Sequence, residues 1–387
     1  MSERYDVVVI GGGIHGVGVA QAAAVRGHRT LLLEQEALAA CTSSRSSKLI
    51  HGGLRYLESG QIRLVRESLR EREILLAIAP GLVKRKAFYI PIYKGARRTS
   101  AYVGAGLLLY RLFAPGKSGA FERLAASSWD TLDGLNTTNL QAVYRYEDAQ
   151  TDDVALTQAV ARSAQEFGAD IQLGASFIGA ERAGQGYELR YLRSGQVTSC
   201  KTRALVNATG PWVGQVLSRI VPGPPRLPYD LVLGTHILTE GSLRQGLYYV
   251  EALADGRGVF VMPWQGRILT GTTESAYTGD PRAVSGTPAD IAYLQETLAH
   301  YFPALSLTVQ ASFAGVRVLP RSHAAFSARP REVVLLADQP VPHLVSIFGG
   351  KLTGYRRTAE RVLERLKAVL PERVAKADTS RLKLPYP

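Results

Sequence analysis

Cysteine is almost missing: Cys41 and Cys200 are the only two in 387 residues. That excludes a disulfide framework and any cysteine-built metal cluster, so no metal site is expected, and it suits a reducing compartment. Long apolar runs are missing too. The best, "YVGAGLLLY" at Tyr102–Tyr110, falls well short of the ~20 residues a spanning helix needs. The opening "MSERYDVVVI" enters a strand at once, with no apolar leader or cleavage site, so no signal peptide is expected. Acidic residues are in the minority, 33 against 46 Lys plus Arg, giving a formal net charge of +13. That balance favours anionic partners such as phosphates or acidic lipid. Basic and aromatic residues are not interleaved as in nucleic-acid modules, so no nucleic acid is expected.

What is present is an ordinary apolar share and 38 glycines, enough for a sizeable core and for close backbone approach to a ligand. The chain opens β-loop-α-β: "YDVVVI" is an apolar strand, "GGGIHG" a turn, "VGVAQAAAVRG" a small-residue helix, and "RTLLLE" a second strand. Residues 62–79 carry Ile62, Val65, Leu69 and Leu76 on one helical face, with Arg63, Arg66, Glu67 and Arg70 opposite. A short apolar helix is expected over 102–113, then a polar loop region to about Asn139. A helix over 156–167 precedes a meander from Asp170 to about Thr202 and a buried strand in "ALVNATGPWV". Residues 228–330 are strand-rich around one helix, "TPADIAYLQETLAHYF", capped by Thr287 or Asp290. Two strands, "EVVLLA" and "HLVSIFGG", and a helix over 352–370 close the chain.

The segment "VVVIGGGIHGVG" fits G-x-G-x-x-G at Gly11, Gly13 and Gly16, between a strand and a helix. The first glycine permits the turn, the second admits a pyrophosphate to the backbone, and the third lets helix and strand pack closely. The helix N-terminus then offers free N–H groups to phosphate oxygens. Glu34 ends the next strand, where an acid can accept from both ribose hydroxyls. No second such motif follows a strand. A single site suits an NAD enzyme or a flavoenzyme reduced directly by its substrate, and the small-residue turn in "NATGPW" tilts the reading towards FAD.

One stretch is unusually polar for its place beside the core: "TSSRSSKLIHGGLRYLE", Thr42–Glu58. Together with "IGGGIHGVGVA", "NATGPWV", "GTTESAYTGD", "AGVRVL" and "FGGKLTGYR", it resembles the FAD-dependent glycerol-3-phosphate dehydrogenase family. The motifs occur in family order from residue 5 to about 370. The resemblance implies an α/β fold: a glutathione-reductase-type FAD-binding Rossmann domain interrupted by a substrate domain on an antiparallel sheet. Residues 1–75, 145–215 and 333–387 would form the first, and 76–144 and 216–332 the second.

The resemblance also implies site roles. Gly11, Gly13, Ile14, His15, Gly16, Glu34 and Gln35 would hold the nucleotide end of FAD, with Ala208, Thr209, Gly210 and Trp212 closing from the other side. Thr42, Ser43, Ser44, Ser47, Lys48, Leu49, His51, Gly52 and Gly53 would run along the flavin ring, with Lys48 and His51 among the donors to its heteroatoms. Gly349, Gly350, Lys351, Leu352 and Thr353 would cap its pyrimidine end. Arg55, Tyr56, His236, Arg317, Arg329 and Lys351 would receive a phosphorylated substrate, with Arg331 as the alternative to Arg329. Arginine suits that task because its planar fork grips phosphate bidentately. His51 and His236 are the candidate bases for the hydroxyl proton, and Arg317 could instead favour the alkoxide.

The family activity would be oxidation of glycerol 3-phosphate, or a close phosphorylated alcohol, to dihydroxyacetone phosphate, with hydride passing to the flavin and electrons on to a quinone or another carrier. The expected setting is cytoplasmic, with peripheral contact at the inner face of the membrane. Glu274 stands where the family has aspartate, Ala155 where it has arginine, and Gly354 where it has threonine. The family's C-terminal helical domain is expected to be lacking. Two alternatives stay open: a flavin oxidase of another hydroxy or amino acid that releases hydrogen peroxide, and a flavin-binding protein without turnover that acts through its basic surface.

Overall fold

The computed structural model describes residues 3–116, 119–324, 326 and 329–386. In chain order the strands are β1 (Glu3–Ile10), β2 (Thr30–Glu34), β3 (Leu49–Ile50), β4 (Val83–Tyr93), β5 (Phe121–Arg123), β6 (Leu140–Thr151), β7 (Asp170–Leu173), β8 (Ala175–Ala183), β9 (Gly186–Arg193) and β10 (Gln196–Asn207). They continue with β11 (Ile220–Val221), β12 (Tyr229–Thr239), β13 (Leu247–Glu251), β14 (Gly258–Trp264), β15 (Arg267–Gly271), β16 (Ser275–Tyr277), β17 (Val309–Pro320), β18 (Val334–Ala337) and β19 (Leu344–Phe348). The helices are α1 (Ile14–Val25), α2 (Ile62–Ile78), α3 (Ser100–Phe113), α4 (Asp153–Glu166), α5 (Val213–Leu217), α6 (Pro288–Tyr301) and α7 (Tyr355–Leu366).

The first sheet runs β11-β8-β9-β10-β1-β2-β7, with β19 also on β10 and β18 on β19. β1 lies parallel between β2 and β10, with Val8 opposite both Leu31 and Leu205. Residues 5–10 are buried on both faces, which is why they read as a continuous apolar run and not as an alternation. One face is covered by α1, α4 and α7, the other by the β8–β10 meander and α5. The small residues of α1 make that packing close: a Cβ on Gly18 would lie 2.7 Å from the Tyr355 ring. The expected meander begins one strand later than read, because β7 pairs parallel with β2.

The second sheet runs β16-β12-β15-β14-β13-β4-β6-β3, with β17 on β12 and β5 on β6. It is antiparallel apart from β13 on β4. Helix α6 covers one face, and α2 and α3 the other. Capping follows the sequence: Thr287 and Asp290 form a reciprocal capping box on α6, and Asp152 accepts from Val154 and Ala155 at the start of α4. Strands β4 and β6, which no motif or alternation in the sequence announces, pair along nearly their whole length. Strand β3 joins this second sheet and β11 the first.

Candidate functional site

A cleft runs from the C-terminal ends of β1, β2 and β10 to the inner ends of β14 and β17. At its first end the glycine turn is sterically fixed. Gly11 has φ +107°, and a Cβ there would lie 2.7 Å from the Ala208 carbonyl oxygen; one on Gly16 would lie 1.8 Å from the Gly11 carbonyl oxygen. In front of Gly13 there is only the Ser43 hydroxyl, which accepts from the Ile14 N–H at 3.0 Å. The N-cap residue of α1 is Gly13 itself, and no acidic side chain sits in the first turn, which leaves the positive helix end available to an anion. The Glu34 carboxylate accepts from Gly12 N–H at 2.6 Å and from Glu36 N–H at 2.8 Å. Gln35, held by Arg282 at 3.0 Å, and Ala208, Thr209, Gly210 and Trp212 complete this end of the wall.

The polar stretch after β2 crosses to the second sheet. Thr42 donates to the Val316 carbonyl at 2.8 Å, and Arg45 to the Val284 and Ala314 carbonyls. Lys48 points away from the cleft. Its ammonium is buried against Asp153 at 2.7 Å and the Ser44 carbonyl at 2.6 Å, so it serves as a brace and not as a donor to a bound ring. Ser46 bonds the same carboxylate through N–H and hydroxyl. Ser44 donates to Cys41 and Gly52 packs on Leu69 and Tyr110; neither lines the cleft. Ser43, Ser47, Leu49, His51 and Gly53 do. The Gly52 N–H donates to the Tyr110 phenol, which donates to Asp148, which is ion-paired with fully buried Arg72. Sequence reading missed this Tyr110–Asp148–Arg72 support; a lone acid in a strand gives no local signal of its distant partner.

The late Gly-Gly-Lys turn meets the early segment directly. Gly349 and Gly350 have φ +71° and +98°, and a Cβ on Gly350 would lie 2.5 Å from His15 Nε2. The His51 N–H donates to Thr353 Oγ1 at 3.1 Å. Lys351 Nζ stands 4.5 Å from the Tyr56 ring centroid and, although buried, has no hydrogen-bond partner among the described residues. Leu352 also lines the cleft.

At the far end Arg55, Tyr56, Arg317, Arg331 and Lys351 converge. Buried Glu274 accepts from Arg317 at 3.2 Å and from Arg331, and faces Arg257 at 3.3 Å. Arg317 also donates to Thr272 Oγ1 at 2.9 Å, while Arg331 Nη1 is buried without a partner among the described residues. Burial, then repulsion from Arg331, lowers the Arg317 pKa to about 10. Burial lowers that of Lys351. Burial would raise the Tyr56 phenol, but Lys351, Arg55, Arg331 and Arg317 outweigh it and pull it down. Burial, then Lys351, Arg55 and Arg72, lowers His51 to about 3; burial lowers His15 to about 4. Both imidazoles are therefore neutral near pH 7.

Two expected substrate residues lie elsewhere. Arg329 is turned to Asp230 at 2.6 Å and stacks over Phe326, off the cleft wall. The adjacent guanidinium that reaches the cleft is Arg331. His236 sits behind the wall, with Nε2 2.9 Å from the Ser47 hydroxyl.

These residues fit FAD. The Gly11–Gly16 turn leaves no room for side chains where a pyrophosphate would pass, and among the described residues His15 Nδ1 at this end, and Lys351 Nζ and Arg331 Nη1 at the opposite end, are buried polar atoms without a partner. A family model described as FAD dependent oxidoreductase matches residues 6–356. The chain is 39% identical over 376 residues to a glycerol-3-phosphate dehydrogenase of Pseudomonas aeruginosa, covering 95% of this chain and 72% of that one. It is 36% identical over 378 residues to a D-erythritol 1-phosphate dehydrogenase of Brucella abortus, covering 96% and 75%. Among solved structures, the glycerol-3-phosphate dehydrogenase from Bacillus halodurans complexed with FAD superposes with a TM-score of 0.75 at 27% identity, covering 98% of this chain and 68% of that one.

Proposed function

Because the chain belongs to the FAD dependent oxidoreductase family, we propose that it oxidises the secondary alcohol of glycerol 3-phosphate, or a close phosphorylated alcohol, to the ketone. The observation that carries this reading is the pair of buried donors without a partner among the described residues, Lys351 Nζ and Arg331 Nη1, beside Arg55 and Arg317. Four cations against one internal carboxylate, Glu274, leave an excess that suits a phosphate dianion better than a single carboxylate. That excess favours a phosphate ester over the amino or hydroxy acid of a simple oxidase.

FAD, when bound, supplies the hydride acceptor. The protein's part is to bind, orient and handle the proton. Arg55, Arg331 and Lys351 hold the phosphate, and Arg317 stands ready to stabilise charge on the reacting oxygen. His51 lines the cleft and is kept neutral by burial first and then by the cations around it. A bound dianion offsets those cations, so the basicity of His51 rises in the substrate complex and an imidazole nitrogen can take the hydroxyl proton. Thr353 and the Tyr110–Asp148–Arg72 chain fix the backbone on either side of that ring.

Electrons then pass to a membrane quinone or another carrier, with the protein cytoplasmic and docked on an anionic bilayer. Among the described residues no helix is long and apolar enough to cross a membrane. Helix α3 supports surface docking: Tyr102, Leu108, Leu109 and Leu112 are all exposed, Leu112 by 69%. Arg111 lies on the same helix, and Arg66 of α2 stacks on Phe113 at 5.8 Å, with Arg63 exposed nearby in sequence.

The test is anaerobic reduction of the purified yellow protein. Glycerol 3-phosphate or a four-carbon polyol phosphate should bleach the flavin absorbance, while glycerol, glycine and lactate leave it unchanged. Bleaching only by the unphosphorylated compounds, with peroxide formed in air, overturns the proposal.

A further inference from the structure

We propose that His236 is a positioning residue: it holds the Ser47 hydroxyl as a fixed hydrogen-bond donor towards the cofactor, and it does not take the substrate's proton. The inference rests on FAD occupying the cleft and is independent of which alcohol is oxidised.

His236 lies on β12 with 1% of its surface exposed, and it is not part of the cleft wall. Ser47 is on that wall, between the imidazole and the cleft, with its hydroxyl 2.9 Å from Nε2. The ring cannot swing outward. Phe313 stacks on one face at 4.9 Å, and Gly271 packs so closely that a Cβ there would lie 2.3 Å from Cδ2. A base that cannot reach the substrate can act only through its neighbour.

The tautomer follows from the other nitrogen. Among the described residues Nδ1 is buried with no partner and no carboxylate pairs with the ring; the charged groups acting on it are Arg317 and Lys48. A proton on Nδ1 would be an orphaned buried N–H, a rarer defect than an orphaned lone pair. The proton therefore resides on Nε2 and is donated to Ser47 Oγ. With its oxygen accepting from behind, Ser47 has its own proton free to point into the cleft.

Residue 47 is held on both sides as well. Ser46 bonds Asp153 through N–H and hydroxyl, and Lys48, at φ +60°, reaches the same carboxylate. A donor fixed by neighbours on three sides needs no reorganisation when negative charge develops opposite it, which is the condition for strong electrostatic stabilisation. Such a donor favours the reduced, more negative form of a flavin.

The test uses holoenzyme carrying Ser47→Ala, His236→Leu, His236→Gln or the double change Ser47→Ala/His236→Leu, titrated with dithionite beside a reference dye and with no substrate present. Ser47→Ala and His236→Leu should each shift the two-electron equilibrium towards the oxidised flavin about tenfold, about 30 mV. The double variant should shift no further than either single one. His236→Gln retains an N–H donor and should restore most of the loss. With glycerol 3-phosphate as substrate, the acid limb of the kcat/KM pH profile should persist in His236→Leu. A potential within twofold of wild type in both single variants overturns the proposal, and so does loss of the acid limb in His236→Leu but not in Ser47→Ala. Where His236→Leu fails to retain FAD, the Ser47→Ala and His236→Gln titrations decide. Because the titration needs no substrate, its result stands even if no phosphorylated alcohol bleaches the protein.

Discussion

Replacing Arg331 and Arg329 in turn separates the cleft from its surroundings, because two arginines two residues apart face different partners. Arg331 shares Glu274 with Arg317 and has a buried Nη1 without a partner among the described residues; Arg329 is committed to Asp230 and the Ala324 carbonyl. Truncating Arg331 to alanine leaves Glu274 paired to Arg317 and Arg257, so the internal carboxylate stays compensated and the scaffold is retained. The loss falls on the bound phosphate. One charge-assisted contact in a desolvated receptor is worth about 2–3 kcal/mol, so kcat/KM should fall about 30- to 150-fold. Arg329→Ala removes one partner from an acid that keeps Arg321 at 3.0 Å, so kcat/KM should stay within about threefold and stability should fall by about 1 kcal/mol. The assay is dye-coupled oxidation of glycerol 3-phosphate, normalised to flavin content. Equal defects in both variants, or an Arg331→Ala enzyme within threefold of wild type, would refute the assignment.

Further outcomes follow from the same geometry. Gly16→Ala should purify without flavin, since its Cβ would overlap the Gly11 carbonyl, whereas Gly354→Ala, with φ −94° and open space, should bind FAD normally and gain up to about 1 kcal/mol in urea unfolding. His15 and His51 are held neutral when folded, at about 4 and about 3, while the unfolded chain protonates near 6.5. The unfolded state therefore binds more protons below pH 6.5, and stability should drop as pH falls from 7 to 5, by about 1–2 kcal/mol for each half-buried ring; His51→Gln should flatten that slope in urea titrations. Lys351, with its pKa lowered by burial, should lose its charge at lower pH than an ordinary lysine, so the KM for substrate should rise early in the alkaline range, and Lys351→Arg should delay that rise. Leu109→Glu/Leu112→Glu should cut co-sedimentation with anionic phospholipid vesicles more than tenfold, with flavin content and dye-coupled activity unchanged.

Local chemistry made the nucleotide end readable. Gly11, Gly13 and Gly16 each answer to a steric demand within a few residues, and the caps at Asp152 and Thr287 are local too. Strands β4 and β6 escaped because burial there does not alternate with polarity. Asp148 and Gln150 are buried polar residues of β6, and Asp148 is tolerated only because Arg72 and Tyr110 arrive from α2 and α3. Lys48 looked like a ligand-facing cation in sequence; its compensating carboxylate, Asp153, lies 105 residues away in the chain. The different placement of Arg329 and Arg331 is equally a tertiary matter, set by where Asp230 and Glu274 stand.

The central strand of the first sheet has a cost during synthesis. β1 is made long before its neighbour β10, which begins at Gln196, and β19 joins the parallel ladder on β10 later still. At a translation rate of about 5–20 residues per second, the edge of β1 that β10 covers stays open for roughly 10 to 40 s, the time needed to reach Asn207. For that interval the nascent chain presents "YDVVVI" to whatever else is in the cell. Yield should therefore respond to slower initiation, lower temperature and holdase supply more than to any substitution in the finished cleft.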